Sequence, residues 1–245
     1  MDRLARTLHK SPGALIAPAL LAADFARLGE ALETVQAAGA RLVHIDVADG
    51  HFAPEITVGQ PVIESIRKAT ALELDIHLLI ERPERYVADF ARAGADRLAV
   101  HPESTAHLHR VLTLIRRSGA KAGVALELGT PVSGVSGVLA ELDFLTILVS
   151  DPGLAPDELT PSGLEKVRQA CRLRRERGLE FELVAEGNIG PENVEELIQA
   201  GADILVAGSA IFQSREPRAQ LAELIRLAAP PAEAAQGAPS MFSQS

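Results

Sequence analysis

The chain has 245 residues, a length that fits one domain with a sizeable buried core. Its composition, 47% hydrophobic and 23% charged, excludes a disordered chain. A formal net charge of −9 argues against a nucleic-acid-binding surface, but not against a phosphorylated small molecule, because backbone N–H groups hold phosphate inside an acidic protein.

The single cysteine, Cys171, rules out an intrachain disulfide and points to a reducing cytoplasm. It sits in a run of Arg and Leu that reads as helix, where it is expected to pack. Residues 1–14 read as a lead-in with no apolar stretch of signal-peptide length. No apolar run is long enough to cross a membrane, so no membrane partner is expected. Residues 230–245, rich in Pro, Ala, Gly, Ser and Gln, read as a flexible tail outside the fold. Aromatics make up only 3% and there is no Trp, so small and branched aliphatics are expected to fill the core.

Between these ends, short apolar runs alternate with longer amphipathic ones. The apolar runs cover 15–20, 42–47, 74–79, 98–101, 122–126, 144–149, 181–185 and 204–207. Each is bounded by Gly, Pro or polar residues and has the length of a buried parallel strand. In the first amphipathic stretch Phe25, Leu28, Leu32 and Val35 share a helical face, with Asp24 as N-cap. Ser104 precedes a second such face of Leu108, Leu112 and Ile115. Gly39, Gly94, Gly119 and Gly201 each stand at a helix end just before a strand. Eight strand–helix units in 15–229 imply a single α/β domain, a (β/α)8 TIM barrel. No G-x-G-x-x-G follows the first strand, which disfavours a dinucleotide-binding fold.

In such barrels chemistry sits at the C-terminal ends of the strands. Those ends carry His44 and Asp46, His77, His101 with Glu103, Asp151 and Glu186. His44 and Asp46, two apart, project from the same face of their strand. With His77 from the next strand they form a donor set that suits Zn2+, Fe2+, Mn2+ or Co2+, with Glu186 as the fourth ligand from across the barrel. Taken singly, a histidine at a strand end is usually a hydrogen-bonded structural residue, and it is the combination on adjacent strand ends that points to a metal. Two carboxylates around a metal also suit a specific reaction. One removes a proton beside a carbonyl and the other returns one on the opposite face, with Asp46 and Glu186 as the pair.

Several segments, in order, resemble the ribulose-phosphate 3-epimerase family. They are Ile16-Ala17-Pro18, Ala23-Asp24-Phe25, the stretch from His44 to Phe52 (HIDVADGHF), Asp75-Ile76-His77-Leu78, Val100-His101-Pro102-Glu103, Gly123-Val124-Ala125-Leu126, Thr130-Pro131, Pro152-Gly153, Gly201-Ala202-Asp203 and the stretch from Val206 to Phe212. The resemblance implies a cytoplasmic isomerase of the pentose phosphate pathway that interconverts ribulose 5-phosphate and xylulose 5-phosphate. It implies His44, Asp46 and His77 as metal ligands, Asp46 as an acid–base residue, and Gly208 and Ser209 as the backbone seat of a substrate phosphate. Gly187 and Asn188, in line with the family's Asp-Gly-Gly, join that substrate-binding set. It also implies a homo-oligomer.

The sequence departs from the family around the substrate. Glu186 replaces an aspartate and is longer by one methylene, about 1.5 Å. Ala19 stands where the family has a serine, and Ala48, Leu79 and Leu148 where it has methionines. Glu127-Leu128 replaces Asn-Pro, and 154–157 (LAPD) replaces a glycine-rich turn. These departures leave two alternatives to the usual substrate: a related or unphosphorylated keto sugar, or a metal-binding barrel that has lost the reaction and serves as a binding protein.

Overall fold

The computed structural model describes residues 13–150 and 159–230. The expected loop 154–157, Asp151, the tail beyond residue 230 and most of the lead-in lie outside the described residues.

Eight strands form one all-parallel sheet: β1 (Leu15–Pro18), β2 (Leu42–Ala48), β3 (Glu73–Leu79), β4 (Arg97–Val100), β5 (Lys121–Leu126), β6 (Phe144–Leu148), β7 (Glu182–Glu186) and β8 (Ile204–Ala207). Their order is β1-β8-β7-β6-β5-β4-β3-β2, and a parallel bridge between Ala19 and His44 joins the two ends. This is the expected barrel. The first run was expected to continue to residue 20. Instead β1 ends at Pro18, and Leu20–Ala22 turns as a 3₁₀ helix.

The helices are α1 (Leu28–Ala37), α2 (Gln60–Ala69), α3 (Val87–Ala93), α4 (Leu108–Arg117), α5 (Pro161–Glu176), α6 (Val194–Ala200), α7 (Ser209–Phe212) and α8 (Pro217–Ala228). The fifth connection is an exception to the strand–helix rhythm. Between β5 and β6 the chain makes two 3₁₀ turns, Val132–Val135 and Leu139–Glu141. Gly129, Gly134 and Gly137 fall in this stretch, and glycine disfavours a continuous helix by about 1 kcal/mol per residue. Asp24 caps as expected, accepting from Ala26 N, but it starts a 3₁₀ turn and not α1. Phe25 therefore points outward and is 45% exposed, while Leu32 and Val35 are buried as expected. Leu112 and Ile115 of α4 are likewise buried.

The helix ends behave as the glycine pattern predicts. Gly94 (φ +116°) and Gly201 (φ +106°) take the left-handed conformation that closes α3 and α6. An aspartate then precedes each of β4, β6 and β8. The carboxylates of Asp96, Asp143 and Asp203 accept the N–H of Leu74, Ala122 and Leu183 on the preceding strand. Cys171 is buried in α5, as expected.

Two cores result. Leu, Ile and Val from the outward strand faces pack beneath the helices. The barrel interior is packed with small and branched aliphatics as expected, Ala17, Ala19, Leu42, Ala99, Ala125, Val184, Ile204 and Val206; Phe144 and the fully buried Arg97 are the additions to that pattern. The Arg97 guanidinium lies 4.0 Å from the centre of the Phe144 ring. Gly123 makes space for that ring, since a Cβ there would come within 2.2 Å of it. Gly123→Ala is expected to cost about 1–3 kcal/mol by overpacking. That corresponds to a melting temperature lower by about 2–12 °C. An unchanged melting curve would show that Phe144 shifts freely.

Candidate metal centre

The β2–β3 register builds most of the site. His44 pairs with Asp75 and Asp46 pairs with His77. A His-x-Asp strand thus lies beside an Asp-x-His strand, and all four side chains alternate inward. Glu186, the last residue of β7, completes the set. One ligand atom from each of His44, Asp46, His77 and Glu186 lies within 4.8 Å of the others. All four residues are buried.

The contacts are specific. Asp46 Oδ1 lies 3.2 Å from His44 Nε2 and 3.1 Å from His77 Nδ1. Glu186 Oε1 lies 3.2 Å from His77 Nδ1, and its Oε2 lies 3.6 Å from His44 Nε2. The extra methylene of Glu186 does not swing it out of the cluster. Thr57 braces Asp46 from behind: its hydroxyl donates to the Asp46 carbonyl at 2.8 Å and accepts from Ala48 N at 2.9 Å.

Beneath the cluster runs a polar chain that sequence reading did not assign. His44 Nδ1 lies 3.0 Å from Asp75 Oδ2. Arg97 Nε donates to Asp75 Oδ1 at 3.2 Å, and Arg97 Nη1 donates to Glu182 Oε2 at 2.5 Å. Such a carboxylate behind a histidine fixes its tautomer, so His44 presents Nε2 to the cluster. Asp75 belongs to the Asp75-Ile76-His77-Leu78 segment, whose resemblance to the family implied a role for His77 alone. Its signal was its place two residues before His77, on the same inward face.

Burial opposes charge on every member of the site, and mutual pairing outweighs it. The Glu186 and Asp46 carboxylates push His77 up to about 10 and raise His44 well above its ordinary value. Conversely, the His44 and His77 imidazoles hold Asp46 below the usual carboxylate range, and they lower Glu186 as well. Arg97 and His44 hold Asp75 down at about 2.

Does this set fit a metal ion? Glu186 Oε2 is buried and makes no hydrogen bond. A buried carboxylate oxygen without a donor is costly, and a cation among four converging ligand atoms satisfies it. Two imidazole nitrogens and two carboxylates suit a borderline or hard divalent ion. The residues therefore fit the metal expected from the sequence.

The expected substrate residues lie on the same rim. Gly187 (φ +119°) and Asn188 (φ +47°) turn the chain directly after Glu186. The Asn193 amide donates to the Asn188 carbonyl at 2.8 Å and so ties that turn to the start of α6. Gly208 follows β8 and opens α7, whose first residue, Ser209, is exposed. A Cβ on Gly208 would lie 3.3 Å from the Ala19 and Ala22 methyls, so the Ala19 departure borders this turn. Ala48 and Leu148 are buried nearby in chain terms, at the ends of β2 and β6.

No described helix is long and apolar enough to cross a membrane. Comparison with solved structures supports the fold: the tryptophan synthase α-subunit of Pyrococcus furiosus superposes with a TM-score of 0.67 at 14% identity, covering 89% of this chain and 99% of that one. Sequence comparison goes further. The ribulose-phosphate 3-epimerase of Bacillus subtilis is 41% identical over 210 residues, 85% of this chain and 97% of its own. That of Synechocystis is 43% identical over 206 residues, 83% and 90% of the two chains. The pattern of the ribulose-phosphate 3 epimerase family matches residues 15–212, from the first residue of β1 to the last of α7. With the barrel, the buried cluster and this extent of match in agreement, the chain belongs to the ribulose-phosphate 3-epimerase family.

Proposed function

We propose that the chain is a divalent-metal-dependent isomerase that inverts C3 between ribulose 5-phosphate and xylulose 5-phosphate. The observation that carries this reading is the buried convergence of His44, Asp46, His77 and Glu186. These four residues would hold the metal, with Zn2+, Fe2+, Mn2+ and Co2+ all compatible with the donors. When bound, the ion supplies Lewis-acid stabilisation of the negative charge that develops on the substrate oxygens.

The chain's own residues do the rest. Asp46, on β2, exchanges the C3 proton on one face of the substrate, and Glu186, on β7, exchanges it on the other. For each turnover one carboxylate is ionised and takes the C3 proton while the other is protonated and returns one on the opposite face, so the two exchange protonation states when the reaction runs in reverse. Gly187 and Asn188 beside Glu186, together with Gly208 and Ser209, form the phosphate seat. The physical support is that N–H groups at a helix start have no partner within the helix. The setting is a cytoplasmic one, and self-association is checked by sedimentation velocity.

The test is proton exchange at C3 of ribulose 5-phosphate in deuterated water, followed by NMR. Exchange is expected with Mn2+- or Zn2+-loaded protein, to vanish on chelation and to return with added ion. Metal-loaded protein that exchanges nothing would overturn the substrate. One observation favours a second reading, a related or unphosphorylated keto sugar: Ala19, without a hydroxyl, borders the Gly208 turn. Faster exchange on free ribulose than on its phosphate would select it.

A further inference from the structure

We propose that His101 is a positioning residue for the metal centre, which accepts the Nε2 proton of His77 and thereby leaves His77 Nδ1 bare for the ion. The inference rests on the metal reading above and adds a residue to it.

His101 follows β4 and is fully buried. Nothing in the proton transfer uses it. Its ring contacts two others: His77, with centroids 4.9 Å apart and planes 26° from parallel, and Phe52, with centroids 4.9 Å apart. Its backbone is fastened as well, because the Ser104 hydroxyl donates to the His101 carbonyl at 2.8 Å. His101 Nε2 is 2.7 Å from His77 Nε2. Two ring nitrogens at that distance share one proton. One is the donor and the other offers its lone pair, since two protons or two lone pairs facing each other repel.

The direction of that bond follows from the other ends of the two rings. His77 Nδ1 faces the cluster, 3.1 Å from Asp46 Oδ1 and 3.2 Å from Glu186 Oε1. It can ligate only with its lone pair, so the His77 proton must sit on Nε2. His101 then accepts through Nε2 and carries its own proton on Nδ1. That nitrogen lies 3.7 Å from Glu103 Oε2 and 3.7 Å from Glu127 Oε1. Two carboxylates on that side favour an N–H and disfavour a lone pair. The opposite arrangement would place a lone pair against both carboxylates and a proton on the nitrogen that must bind the ion.

The two histidine ligands are therefore set by different partners. Asp75 selects Nε2 of His44, and His101 selects Nδ1 of His77. Glu127 stands where the family has Asn, so one of the two carboxylates that orient His101 belongs to this chain's own departures.

The test is Zn2+ affinity, measured by competition with a chelator of known affinity. His101→Leu keeps the apolar bulk and removes the acceptor. His101→Gln keeps a side-chain carbonyl that can accept from His77. Loss of an outer partner of a ligand histidine typically weakens binding 10–100-fold. Such a loss is expected for His101→Leu, with His101→Gln recovering most of it. Unchanged affinity in His101→Leu, or equal losses in the two variants, would overturn the proposal. Nitrogen-15 NMR of the unsubstituted, Zn2+-loaded protein gives an independent reading should either variant fail to fold. A proton on His77 Nε2, coupled through the hydrogen bond to His101 Nε2, is expected. A proton on His101 Nε2, or no coupling, overturns it. If the unsubstituted protein binds no Zn2+, the metal reading falls and takes this one with it. If it binds Zn2+ and His101→Leu binds it equally well, only the role of His101 falls.

Discussion

Asp46→Asn is expected to slow C3 proton exchange by about 10²–10⁴-fold, the usual contribution of one acid–base group. The substitution keeps the shape of the side chain but removes both functions proposed for it. An amide takes no proton at neutral pH, and only its single oxygen can still ligate. Asp46 Oδ1 meets both imidazoles, so the loss reaches both halves of the cluster. The fold should survive, because the backbone at this position is held by β2–β3 pairing and by Thr57. Exchange measured by NMR with Mn2+ in excess separates the two functions. Excess metal offsets weakened ligation but cannot restore a base. An undiminished rate would show that Asp46 moves no proton.

The largest stability effect is expected at Arg97, far from any substrate. Arg97→Leu should lower stability by about 3–5 kcal/mol, the cost of removing one partner from a buried ion network. For a chain of this size that is a melting temperature lower by about 6–20 °C. The cause is what stays behind: Asp75 and Glu182 remain buried without their shared cation. The carboxylate behind His44 also loses its anchor, so weaker Zn2+ binding should accompany the lower melting temperature. A shift of less than about 2 °C in a calorimetric scan would mean that the network relaxes or takes up protons at little cost.

The barrel and the His44, Asp46 and His77 cluster were legible because each rests on a local pattern. Apolar runs of strand length, glycines at helix ends and His44-x-Asp46 on one strand face are all features of neighbouring residues. Arg97 was not legible. A charged residue at the start of an apolar run reads as the solvated edge of a strand, and only the alternation of β4 turns it inward. That alternation was available in principle. Arg97 is four residues before His101, Asp75 two before His77, and Glu182 four before Glu186, so each lies on the face that carries a known polar residue. The sequence does not show how far each strand is shifted against its neighbour, and that shift decides that His44 meets Asp75 and not another residue. The β5–β6 connection was misread for a related reason. Counting eight strands invites eight helices, while the glycines of 129–137 favour tight turns. Phe25 illustrates the limit of periodicity, since a change from 3₁₀ to α geometry at Leu28 rotates it off the face it shared with Leu32.

The paired His-x-Asp and Asp-x-His strands also bear on how such a barrel diversifies. Three of the four proposed ligands, and the acid placed to orient one of them, lie on β2 and β3. The residues proposed to meet the phosphate belong to turns after β7 and β8, away from β2 and β3, with Glu186 the one proposed ligand that adjoins them. Mutation in the turn after β8 can therefore remodel part of the proposed phosphate seat without touching the ligands proposed on β2 and β3. A lineage built this way can exchange one substrate for another in small steps and keep a working reaction centre at each of them.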